Sequence, residues 1–326
     1  YPSGELQRIT NDLSIYRHIS ISADGKSLVA EKQSIYSHLW VAGNENLDGL
    51  KQVTSGNLNR DGNAGIAWTP DGNIVYSSRI SGDVDIWHYR LKDGISTQLT
   101  KNAGLNNENP SVSADGKYIY FESTRTVSRH IWRIDIDGSN PTQITFSEKE
   151  NEFYPAISSD GNFLYFVKKS PQGNVILRKN LTENKVENIT EQGKFAPDSF
   201  LSLSPDGKKL AFNNIKEKSE EEANSKTTQI GIVHLDEGNK VDLIESPQLG
   251  GTFHWTQDGK SFEYLDNSLE GAKIFRKSLE EKSDPKLILQ IPNTQFFHFA
   301  WSFDYKNLVI SRGKQERDAI LLKNFE

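Results

Sequence analysis

The chain has 326 residues, 38 Lys and Arg against 44 Asp and Glu, and a formal net charge of −6. Its mean hydropathy of −0.63 and the lack of any apolar run near the ~20 residues of a spanning helix exclude a helical membrane domain. The mild acidity argues against a nucleic-acid partner, which calls for a basic stripe. Cysteine is absent, which excludes disulfides, a thiolate nucleophile and thiolate-ligated metals. Methionine is also absent, even at the first position, so the chain reads as a processed protein or an excised fragment.

In chain order, the first feature is Gly4–Thr10 (GELQRIT), which has the look of a terminal strand. Then a turn signal recurs: Asp24-Gly25, Asp71-Gly72, Asp115-Gly116, Asp160-Gly161, Asp206-Gly207 and Asp258-Gly259, with Asp304-Tyr305 as a worn seventh copy. An Asp-Gly pair between alternating apolar runs is a strong hairpin signal, because Gly takes positive φ without strain. In two repeats a second turn, Asp93-Gly94 or Asp137-Gly138, follows the first. Two hairpins give four short strands, A to D; in the third repeat they are expected over 109–113, 118–123, 129–136 and 141–145. A period of about 45 residues with four strands per repeat predicts a β-propeller blade.

The tryptophans form two columns in this frame. Trp68, Trp255 and Trp301 lie three residues before their turn Asp; Trp40, Trp87 and Trp132 lie 16 or 17 after it. One bulky residue per blade at a fixed position suits the packing between neighbouring sheets, so these are expected in the core. The seventh repeat stops before a strand D, and the chain begins with one to spare. The prediction is therefore an all-β fold: a seven-bladed β-propeller of four-stranded antiparallel blades, closed by N-terminal strand D joining C-terminal strands A–C. It forms one domain, 1–326, with blades at about 11–54, 55–100, 101–145, 146–190, 191–245, 246–290 and 291–326 plus 1–10. A charged insertion at 216–226 falls between strands B and C of the fifth blade and reads as a solvated loop or a partner-contacting arm.

The segment PSVSADGKYIYFESTRTVSRHIWRIDIDGSNPTQIT resembles the TolB-type (WD-repeat-like) propeller repeat, and the likeness runs through the whole chain. ITNDLSIYRHISISADGKSLVA, GIAWTPDGNIVYSSRISGDVDIW and the closing FAWSFDYKNLVISRGKQERDAILLKNFE resemble the C-terminal propellers of bacterial, acidobacterial-type, Ser/Thr kinases and winged-helix regulators. That resemblance implies a sensory or protein-interaction part outside the cytoplasm, periplasmic or at the cell surface, tethered by an upstream membrane helix. It does not imply membrane insertion of this segment. Tyr305 in place of Gly departs from the repeat and puts the geometry of that turn in question.

No phosphate-binding loop, kinase triplet, nucleophile elbow or zinc-protease motif occurs. The chain is therefore expected to be non-catalytic, with no cofactor and no metal. His18 and His298 both lie six residues before the turn position, where strand A begins, and equal register would place both at one channel mouth. Two neutral imidazoles there raise the alternative of a metal-dependent polysaccharide lyase or hydrolase; a scaffold subunit of a larger assembly is the third reading. Variable loops favour the D–A and B–C face for binding. The candidate binding residues are Arg17, His18, Glu108, Asn109, Glu152, Tyr154, Asp198 and His298 from strand-A starts, with Arg79, Arg125 and Lys168 from strand-B ends. Their mixed charge suits a protein or peptide partner, or a small ligand at the channel mouth, bound in a manner that weakens with salt.

Overall fold

The computed structural model describes residues 14–56, 59–197, 199–216, 227–245, 252–268, 271–280 and 284–323. The strands in order are β1 (Ile15–Ile21), β2 (Ser27–Gly43), β3 (Lys51–Gln52), β4 (Ile66–Trp68), β5 (Ile74–Ser78), β6 (Asp85–Arg90), β7 (Ile95–Gln98), β8 (Asn107–Val112), β9 (Tyr118–Ser123), β10 (His130–Asp135), β11 (Thr142–Gln143), β12 (Asn151–Ile157) and β13 (Phe163–Lys169). They continue with β14 (Val175–Asn180), β15 (Val186–Asn188), β16 (Ser202–Leu203), β17 (Lys209–Lys216), β18 (Thr227–His234), β19 (Lys240–Glu245), β20 (Phe253–Trp255), β21 (Ser261–Ser268), β22 (Gly271–Ser278), β23 (Lys286–Ile291), β24 (Gln295–Trp301) and β25 (Asn307–Lys323). The fold is all-β, as the repeat predicts, and β8 to β11 fall where the four strands of the third repeat are expected. Among the described residues no helix is long and apolar enough to cross a membrane.

Each repeat is built by the same local chemistry. The Ser or Thr two residues before the turn Asp donates its hydroxyl to that carboxylate, at 2.6–2.7 Å for Ser22, Ser113, Ser158, Ser204, Thr256 and Ser302. Thr69 does the same for Asp71. These hydroxyl bonds hold the Asp24, Asp115, Asp160, Asp206, Asp258 and Asp304 carboxyls below the usual range. Tyr305 takes the turn Gly's place at φ +56°, and the Ser302–Asp304 bond closes that turn as in the other repeats. At the outer strand, a Thr hydroxyl accepts from a backbone N–H of the third strand: Thr54 from Leu39, Thr100 from Ile86, Thr145 from Ile131 and Thr190 from Ile176, at 2.9–3.0 Å.

Five sheets are four-stranded and consecutive: β4–β7, β8–β11, β12–β15, β16–β19 and β20–β23. Repeats one and seven do not form separate sheets. β2 and β25 are each continuous over 17 residues and pair with one another from Ser27↔Lys323 to Gly43↔Asn307, so that repeats one and seven share a sixth sheet. The physical reason is the missing turn. Gln33-Ser34-Ile35 holds no Gly, Pro, Asn or Asp, and Gly313 does not adopt positive φ. Instead of bending into B–C hairpins, the two repeats exchange their third strands. Arg312 of the last repeat accordingly stacks 4.4 Å above Trp40 of the first, where Arg125 stacks 4.5 Å above Trp132 of its own repeat.

Six apolar cores separate the six sheets and join them in a ring. They centre on Trp68 with Val309, Phe121 with Val75, Phe166 with Ile131, Phe212 with Val167, Phe253 with Ile230, and Phe299 with Leu265. Trp68 and Trp255 are buried, as expected, whereas Trp301 of their column and Trp40, Trp87 and Trp132 of the other are half-buried. Ile21, the counterpart of Trp68 in repeat one, is 59% exposed, because β1 pairs with the free half of β2 away from the ring.

The expected closing strand at 1–10, the insertion at 217–226 and Asp198 lie outside the described residues. Among the described residues the outer edge of β25 from Lys314 to Lys323 pairs with no strand. Deleting residues 1–10 is expected to lower the melting temperature and promote association, if that edge takes the N-terminal strand. A deletion variant with unchanged melting and no oligomers would remove this closure.

Candidate functional site

The first strands of the six ring sheets converge on a central cavity of about 450 Å³. Its innermost ring is the column six residues before the turn Asp: Gly65, Asn109, Tyr154, Phe200, Thr252 and His298. From this ring the cavity runs past Pro110, Ile157 and Ser202 to residues beside the turns, including Pro205, Phe303 and Tyr305. The ring is made by bulges. Pairing slips between Glu108 and Ser111, between Phe153 and Ala156, and between Phe296 and His298. Asn109 and Tyr154 take left-handed backbone at φ +53° and +57°, and Gly65 lies at φ +122°.

A buried carboxylate holds two of these strained positions. Glu122 Oε1 accepts from the Asn109 side-chain amide at 2.6 Å and from the Tyr154 backbone N–H at 2.7 Å. Its other oxygen takes a 2.8 Å bond from Arg129, whose Nη1 also lies 2.5 Å from Glu108. Burial pushes the Glu122 carboxyl up, against the pull of Arg129. In the next strand pair, Glu152 takes a 2.6 Å bond from Ser147 and lies 2.8 Å from His130 Nδ1.

Both channel histidines are kept neutral. His298 is 3% exposed, with Nδ1 2.8 Å from the Thr252 hydroxyl and Phe200 edge-on at 4.2 Å; burial lowers its pKa to about 3. His254 Nε2 donates to the Phe299 carbonyl at 2.7 Å, and burial lowers its pKa to about 4. His298 Nε2 and Asn109 Oδ1 are buried and make no hydrogen bond. Among the described residues no group of three His, Cys, Asp or Glu is placed to hold a metal.

The ring of sheets agrees with the comparison to known proteins. A family model described as a TolB beta propeller domain matches residues 47–221. The chain belongs to that family. An uncharacterized protein of Agrobacterium fabrum is 38% identical over 202 residues, 61% of this chain and 53% of that protein, so the chain spans about half the length of this relative. TolB from Acinetobacter baumannii superposes with a TM-score of 0.60 at 18% identity, over 86% of this chain and 65% of its own. A structure assigned as TolB from Agrobacterium tumefaciens gives 0.66 at 17% identity, over 86% and 99%. At these identities the two structures speak for the fold alone.

Of the candidate residues drawn from the sequence, this TolB-type propeller brings Asn109, Tyr154 and His298 together at the ring. His18 shares their sequence position, and the left-handed backbone of Asn109 and Tyr154, but it sits on β1 with its side chain 80% exposed, 2.8 Å from Glu31, and Arg17 is exposed beside it. Neither lines the channel, because the first repeat's strand A lies outside the ring. Glu108 and Glu152 are tied into the buried pairs described above. Arg125 lies over Trp132 and donates to Ser123 at 3.1 Å. Arg79 is half-buried at the end of β5, and Lys168 pairs across strands with Glu152. The sequence reading missed Gly65, Phe200, Thr252 and Glu122. The first three occupy the same column as His298 and were legible from it.

Proposed function

We propose that this TolB-type propeller is a non-catalytic binding module that holds part of a protein partner, or a small ligand, at its central channel. In this reading it is the extracytoplasmic portion of a signalling regulator such as a membrane-tethered kinase or winged-helix protein. The observation that carries the proposal is the ring itself. Six sheets bring one residue each to the ring, five of them with side chains, and two are fixed in strained backbone by a buried carboxylate, so that one ligand meets several sheets at once. The turn face is built for a different purpose, since its Asp, Ser and Thr side chains are used up in closing the hairpins.

Immobilised protein should retain a partner from the extracytoplasmic fraction of its host. A Phe200→Arg variant should lose that partner, while Lys117→Glu with Lys208→Glu, on the turns, should keep it. Retention by the channel variant and loss by the turn variant would reverse the proposed face. The lyase alternative predicts a bound divalent ion. Purified protein is expected to contain no stoichiometric manganese, zinc or calcium; a metal lost in both His254→Ala and His298→Ala would move the channel to the enzyme class.

A further inference from the structure

We infer that the channel is a site for an uncharged ligand bearing an aromatic ring and a hydrogen-bonding group. This rests on the binding-module reading and narrows the ligand class. A quarter of the chain is Asp, Glu, Lys or Arg, yet among the described residues none of these lines the cavity. The charged groups just beyond the ring are already paired: Glu108 and Glu122 with Arg129, and Glu152 with His130. A charged ligand would leave water for a cavity with no counter-charge, which disfavours it strongly. The expectation of salt-weakened binding, drawn from the mixed charges near strand ends, does not carry over to this site.

Ser111, Ser159 and Ser202 bring hydroxyl groups to the lining. Ser158, Ser204 and Ser302 line the cavity, but their hydroxyls are spent on turn carboxylates. Asn109 gives its amide N–H to Glu122, and its Oδ1 is sealed from the channel without a partner. His298 engages Thr252 through Nδ1, and its Nε2 is likewise sealed, so that its ring meets the channel as a neutral, largely buried wall. Beside them Tyr154 and Phe200 pack with ring centroids 5.4 Å apart and form an aromatic wall. The cavity volume lies within the about 300–1,000 Å³ usual for small-ligand sites.

The test uses two dyes of one skeleton: N-phenyl-1-naphthylamine, which is neutral, and 8-anilinonaphthalene-1-sulfonate, which carries a sulfonate. By fluorescence titration the neutral dye should saturate a single site, and the sulfonate should bind at least about tenfold more weakly. Raising NaCl should leave the neutral dye's affinity unchanged. Ser202→Asp should abolish its binding and Ser202→Asn should retain it; Ser111→Asp and Ser111→Asn form an independent pair at another wall, should one substitution prevent folding. Equal affinity for the two dyes, no saturable binding of the neutral dye, or unchanged binding in both Asp variants would overturn the inference. Partner retention without dye binding would leave the binding module standing and remove this ligand class alone.

Discussion

Replacing Arg129 with alanine is expected to remove about 3–5 kcal/mol of folding stability, the usual cost of breaking a buried ion pair from one side. The Glu122 side chain is 1% exposed, and Arg129 is its charge partner as well as that of Glu108. Without the guanidinium, two carboxylates face each other in a site closed to water. Glu122→Gln should cost less, since the amide oxygen can still accept from Asn109 and Tyr154, and adding it to Arg129→Ala should recover part of the loss. The pH dependence has a defined sign. Burial already pushes the Glu122 carboxyl up, and loss of Arg129 raises it further. The variant's stability should therefore fall as pH rises through that raised value. Urea unfolding of the single and double variants measures both effects, and a loss below about 1 kcal/mol for Arg129→Ala would show that the pair is not what anchors the ring.

Acid is expected to weaken the protein well before its carboxylates titrate. Both channel histidines have folded pKa values below the ordinary 6.5, about 3 for His298 and about 4 for His254. As pH falls below about 6.5 the unfolded chain takes up protons that the folded chain refuses. Stability is therefore full above that value and declines towards pH 3, by up to about 1.4 kcal/mol per pH unit for each histidine. His298 should contribute most, because it is fully buried, whereas His254 is only half-buried. Between pH 6.5 and 4.5, His298→Asn should show a shallower decline than the native protein in urea unfolding. Parallel slopes would mean that the imidazole is solvated in the folded state.

The repeat was legible because its turns are chemically local. Each Asp, its Ser or Thr and the following residue satisfy one another within six residues, so the pattern survives in the letters, and even Tyr305 did not break it. The ends of the chain were not legible for the opposite reason. Whether Gln33-Ser34-Ile35 bends or runs straight depends on what lies beside it, and its partner is at the far end of the sequence. The ring fell in between. The column six before each Asp named it, but strand alternation could not show that Asn109 and Tyr154 sit on bulges, which shift the pairing at Glu108 and Phe153. Glu108 and Glu152 consequently read as an open, charged binding face when both are committed to neighbours. Glu122, inside the apolar run YIYFES, carried no signal of its own, since its role depends on groups from two other strands.

The shared sheet at the chain ends also dictates when the channel comes into being. Five sheets pair strands that follow each other in the sequence and can form as each is synthesised, at about 5–20 residues per second. The sixth waits for β25, because the second half of β2, which pairs otherwise only with the outer strand β3, is joined to β24 through β25. β24, which brings His298, belongs to the same late event. Until β25 has been made, the nascent chain is an open arc with the apolar faces of its first and last sheets uncovered. The binding cavity is thus the final product of folding, and a chain cut short anywhere in β25 would carry nearly every repeat and no channel.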